Sequence, residues 1–144
     1  MINAVTTISR CLKKGIRFLE SAKVPEAKRS AEALLAHVLR SPPLALHLDS
    51  EVELDPVCEE RYEMLLGKRA GRYPLQYLTG AVSFRHALLQ VGEGCFIPRP
   101  ETEILAGVIL NRLGPEGLSV LEAGTGSGNI AISQIGRASC RERV

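Results

Sequence analysis

Residues 121–129 read Leu-Glu-Ala-Gly-Thr-Gly-Ser-Gly-Asn, three alternating glycines behind an acid and ahead of an apolar run that opens at Ile130. Glycine accepts positive φ and carries no Cβ, so such a turn lets a ligand lie against bare backbone. Where a helix follows, its first N–H groups can meet an anion, here a carboxylate. Three nucleotide-type readings compete. A phosphate-binding P-loop ends in Gly-Lys-Ser/Thr, and Ser127-Gly128-Asn129 has no lysine. A dinucleotide fingerprint sets its third glycine one position later, where Asn129 stands. Gly-x-Gly-x-Gly after an acidic strand end fits S-adenosylmethionine, with a bare structural turn as the plain alternative.

The second cluster is Ile97-Pro98-Arg99-Pro100-Glu101-Thr102-Glu103. Two prolines lock φ and bias the residues before them away from helix, which makes a rigid approach. Glu101, Thr102 and Glu103 then suit a helix start, where acids favour the positive dipole end. A capped rigid linker explains the prolines but not the arginine held between them. His37, His47 and His86 show no metal-ligand spacing and read as helix-face or turn residues. The four cysteines, Cys11, Cys58, Cys95 and Cys140, form no Cys-x-x-Cys pair and read as small hydrophobes rather than ligands.

The elements that must carry these clusters differ in texture. Val5, Ile8, Leu12, Ile16 and Leu19 recur at helical spacing, as do Ala31, Leu34, Leu35 and Val38 after Pro25 and Glu26, which suit a first helical turn. Ser41-Pro42-Pro43 stops that second helix, and a short one is expected over residues 44–48. Asp55 reads as an N-cap with Pro56 at the first helical position, and that helix should run to about Ala70 before Gly71. Such short helices must pack together, with Arg and Lys on their outer faces solvated. Beyond Gly71 come one helical turn from Pro74 and two short strands over residues 81–84 and 87–91, joined near Arg85-His86. A helix over 101–111 should bury Ile104, Leu105, Val108 and Ile109, and the apolar run 119–123 suits a central parallel strand.

With 45% hydrophobic and 24% charged residues the chain is globular rather than disordered. No apolar run is long enough to span a membrane and no secretory signal opens the sequence, so cytoplasm is the expected compartment. The formal charge of +2 sits in the last ten residues, where Arg137, Arg141 and Arg143 face only Glu142; the rest is neutral, which argues against a nucleic-acid partner. Residues 135–144 break the apolar period with Gly, Ser and Arg, and match one reading frame of a common sequencing adapter. They are expected to be a non-native tail foreign to the fold.

The proline–arginine–proline–glutamate–threonine–glutamate string lies about twenty residues ahead of the glycine loop. Add residues 69–80, Arg-Ala-Gly-Arg-Tyr-Pro-Leu-Gln-Tyr-Leu-Thr-Gly, with Phe84 and the Glu-Ala-Leu-Leu-Ala-His-Val-Leu run of residues 32–39. Together these make the chain resemble the HemK/PrmC family of release-factor glutamine methyltransferases across residues 1–133. The resemblance implies an α/β fold: a small N-terminal helical bundle, a β-hairpin, and the truncated start of a Rossmann-like class I S-adenosylmethionine methyltransferase domain. The expected division is a substrate-docking domain over 1–72, hairpin linker and methyltransferase start over 73–134, and the tail. Glu122, Gly124, Thr125, Gly126, Ser127 and Gly128 would line the donor pocket, with Arg99, Pro100, Glu101 and Thr102, and also Pro98, beside the donor and the reacting amide. Glu122 and Ala123 depart from the family's usual aspartate and leucine, but a carboxylate is kept. The implied partner is a peptide chain release factor gripped by the helical domain. The family's amide-holding Asn-Pro-Pro-Tyr motif does not occur in the 144 residues, so no catalytic residue is assigned and the chain alone is expected to be inactive. A nucleic-acid base amino-methyltransferase and a non-catalytic release-factor-binding module are the alternatives.

Overall fold

A computed structural model describes residues 6–113 and 121–135. They fall into two compact units divided between Thr79 and Gly80.

The first unit is helical. Helix α1 (Ile8–Ser21) is capped by Thr7, whose side chain accepts the N–H of Arg10, and it buries Ile8, Leu12 and Leu19 with Ile16 half-buried beside them. Val5 of the expected stripe lies outside the described residues. Helix α2 (Ala27–Leu39) starts later than the sequence suggests. Glu26 is in the left-handed region at φ 52, as is Lys23 at φ 54. The tight reversal after α1 uses up Pro25 and Glu26, so neither joins the first turn. At the other end Arg40 also turns left-handed, and the N–H of Ser41 closes onto the Ala36 carbonyl at 3.0 Å. That six-to-one bond satisfies an orphan carbonyl where glycine would usually stand.

Helix α3 (Ala45–Leu48) buries only Leu46. Helix α4 (Pro56–Ala70) begins as expected: the Asp55 carboxylate accepts the N–H of Val57 at 2.9 Å and Pro56 opens the first turn. Tyr62 joins three helices. Its ring is buried, its hydroxyl donates to the Ala31 carbonyl of α2 at 3.2 Å, and its edge fills the space that a side chain at Gly15 of α1 would take. Helix α5 (Leu75–Thr79) completes the unit and contributes Leu78 to its core.

The second unit holds a hairpin and two helices. Strands β1 (Ala81–Phe84) and β2 (Ala87–Gln90) pair antiparallel, with Val82 opposite Leu89 and Phe84 opposite Ala87. Period-two alternation turns Phe84 and Leu89 inward and Leu88 out. Helix α6 (Pro100–Leu113) packs against α7 (Asn129–Ile135), and α7 against β2.

Two expectations are corrected here. The residue that α6 buries completely is Ala106, against Phe84 and Leu89, while Ile104, Leu105 and Val108 are exposed, Ile104 at 71%. Helical spacing identifies an apolar stripe but does not say which partner covers it. Of the expected parallel strand, residues 119 and 120 lie outside the described residues, and 121–123 form no strand; Leu121 is 95% exposed. The only sheet among the described residues is the two-stranded hairpin. The helix α7 takes in Ile135, and the remainder of the expected tail, 136–144, lies outside them.

Candidate functional site

Leu121 and Glu122 belong to no helix or strand, and the loop then turns through three left-handed glycines, Gly124 at φ 73, Gly126 at φ 56 and Gly128 at φ 71. A side chain at any of the three would be strained. Space is open as well: among the described residues a Cβ at Gly124 would meet nothing within 4 Å, and one at Gly126 only the Gly124 carbonyl at 3.9 Å. The glycines make a turn with no described side chain over Gly124 or Gly126.

The loop is tied at both ends. Glu122 Oε2 accepts the N–H of Ala131, in the first turn of α7, at 3.1 Å, and the Thr125 hydroxyl donates to the Glu122 carbonyl at 3.5 Å. Inside it, the Gly128 N–H reaches the Thr125 carbonyl at 2.8 Å, and the Ser127 hydroxyl donates to Asn129 Oδ1 at 3.3 Å. One helix-start amide, read from the sequence as free for an outside anion, is met by the chain's own acid. That bond across nine residues was not visible in the pattern, although an acid just ahead of a helix start carries the electrostatic signal for it.

Arg99 and Pro100 are exposed, with Pro100 as the first residue of α6. Proline needs no N–H there, and its fixed φ suits a helix start. The N–H of Thr102 returns to the Arg99 carbonyl at 3.0 Å, so this first turn is ordered by its own backbone. Glu101 points to solvent and Thr102 is half-buried. Among the described residues no hydrogen bond or ion pair joins Arg99, Pro100, Glu101 or Thr102 to the glycine loop; they share the second unit through the α6–α7 packing.

The string 69–80 is used differently from a solvated face. Arg69 Nε donates to the buried Ser30 hydroxyl at 3.2 Å and Nη1 to the Tyr73 carbonyl at 3.1 Å, while Arg72 Nη2 donates to the Lys23 carbonyl at 2.7 Å. Both arginines hold loops of the helical unit. His47 Nε2 lies 3.5 Å from Glu32 Oε1, bridging α3 to α2. Among the described residues no group of three or more His, Cys, Asp or Glu could hold a metal ion, and no helix is long and apolar enough to cross a membrane.

Residues 10–80 match the family described as PrmC N-terminal domain. Proteins named release factor glutamine methyltransferase are similar over most of the chain. The one from Chlorobaculum tepidum is 38% identical over 135 residues, which cover 90% of this chain and 46% of the relative. That from Moorella thermoacetica is 38% identical over 88% of this chain and 45% of its own length. That from Mycobacterium leprae is 41% identical over 88% and 43%. Residues 10–80 thus belong to the PrmC N-terminal domain family, and most of the chain is similar to these named methyltransferases. The chain spans less than half the length of the curated relatives it matches.

Proposed function

We propose that this chain carries the docking helices and the first part of the donor pocket of an enzyme that methylates the side-chain amide of a glutamine in a peptide chain release factor. The observation that carries the reading is the run of three left-handed glycines behind Glu122, with no described side chain over Gly124 or Gly126, where a ligand would lie. The donor is S-adenosylmethionine, which supplies an activated methyl group when bound. Gly124, Thr125, Gly126, Ser127 and Gly128 would hold it, with Glu122 fixing the loop, and Arg99, Pro100, Glu101 and Thr102 would border the reacting amide. The open space at Gly124 and Gly126 fits a group lying on the main chain.

An amide nitrogen is a poor nucleophile because its lone pair is delocalised into the carbonyl. The residues around it must therefore hold it close and in line and keep water away. The rigid approach to Pro100 suits that positioning work. The parallel sheet of a Rossmann-like domain, the docking role of residues 1–72, the donor role of 73–134 and a cytoplasmic location belong to the same reading. So does low activity of the 144 residues alone, since they lack the Asn-Pro-Pro-Tyr motif.

Calorimetric titration of S-adenosylmethionine into a protein extended to the length of the relatives tests the reading. Saturable heat and a methylated glutamine on added release factor are expected; no heat at any donor concentration removes the enzymatic assignment. The unextended chain, given the same donor and release factor, is expected to leave the glutamine unmethylated.

A further inference from the structure

Arg85 opens the turn between β1 and β2 with φ 53, in the left-handed region that favours glycine. Its main-chain N–H donates to Glu103 Oε2 at 3.1 Å, and its Nη1 donates to the Glu103 main-chain carbonyl at 3.2 Å. One residue of α6 thus receives both the backbone and the side chain of one turn residue.

The Glu103 carbonyl lies inside a helix, and helical side chains lean towards the N-terminus, so the residue four positions on normally overhangs it. That residue is Gly107, and a Cβ there would stand 2.9 Å from Arg85 Nη1. Glycine inside a helix is unfavourable, and so is a left-handed arginine. A third penalty sits in the same place, because Arg85 Nε is buried with no hydrogen-bond partner among the described residues. Three local costs meet where Phe84, Leu89 and Ala106 form the buried cluster of this unit.

We infer that Arg85 is a positioning residue that clamps the hairpin to α6 and so fixes the first turn of that helix, where Arg99, Pro100, Glu101 and Thr102 stand. The clamp is a property of this chain; only the purpose of the fixed turn rests on the proposed function.

Residue-resolved amide hydrogen exchange on the 144-residue chain, without donor, is the test. Glycine suits the turn better than arginine, so Arg85→Gly would slow exchange if Arg85 merely made the turn. With a clamp, the amides of residues 104–107 exchange about ten-fold faster, the loss expected when hydrogen bonds to a charged group are removed. Unchanged or slower exchange there overturns the inference. Should Arg85→Gly also open the Val82–Leu89 pairing, Gly107→Ala decides. Alanine favours helix, so greater protection of α6 would overturn the clamp, whereas loss of protection supports it. If both tests support the clamp while a protein extended to the length of the relatives ignores S-adenosylmethionine, the enzymatic reading alone is refuted.

Discussion

Gly15 and Gly67 both lie inside helices, but only one of them is there to make room. A Cβ at Gly15 would overlap the Tyr62 hydroxyl, whereas one at Gly67 would meet nothing within 4 Å among the described residues. Gly15→Ala should therefore cost about 1–3 kcal/mol by overpacking, while Gly67→Ala should be neutral or gain up to ~1 kcal/mol from helix propensity. Urea unfolding of the two variants checks the contrast; equal midpoints would mean that Tyr62 moves aside freely. A second residue-scale outcome concerns Cys11. Burial, and then the nearby Glu59 carboxylate, push its thiol up from 9.0 to about 11. The unfolded thiol ionises first, so this contribution to stability is complete below pH 9 and is lost as pH rises from 9 towards 11. At pH 8 iodoacetamide should label Cys58 and Cys95, which are half-buried, well before Cys11, which is 2% exposed. Mass spectrometry of a labelling time course reads the order.

The start of α4 was legible because its cap has its own chemistry. Asp55 and Pro56 announce α4, and the structure puts the Asp55 carboxylate on the Val57 N–H. Asp55→Ala should destabilise the helical unit by about 1 kcal/mol, with Asp55→Asn close to neutral, in thermal melts followed by circular dichroism. The start of α2 was illegible because Lys23 and Glu26 take left-handed conformations that nothing in their side chains announces. The glycine loop was legible for the opposite reason: glycine announces such a conformation, and all three of its glycines adopt it. Gly126→Ala, at φ 56, should cost about 1 kcal/mol of local stability from backbone strain alone. Faster amide exchange across residues 128–132 would report that loss. What the pattern could not supply were the long-range partners, Arg85 for Glu103 and Ala131 for Glu122, since pairs 18 and 9 residues apart leave no periodic trace. The interior Gly107 of α6 was the one local hint of the first pair.

At the scale of the whole molecule the two units are unequally supported. Among the described residues the helical unit buries a contiguous core running from Ile8 to Leu78 and including Leu19, Leu34, Leu35 and Tyr62, whereas the second unit's buried cluster is Phe84, Leu89 and Ala106. Burial of apolar surface is the main term that offsets chain entropy, so the first unit has the means to fold by itself and the second has little. The second also leaves Ile104, Leu105, Val108, Leu121 and Ile132 facing solvent. Apolar surface of that extent attracts hydrophobic dyes and neighbouring chains. A chain ending at Gly80 should keep a cooperative, helix-dominated melt and leave anilinonaphthalene sulfonate fluorescence unchanged. The 144-residue chain should bind the dye, with the signal reduced by polar replacement of Ile104 and Val108. Dye binding of equal strength by the 1–80 chain would place the uncovered surface in the helices instead. It would then be the helical unit, not the second unit, that depends on a partner for its stability.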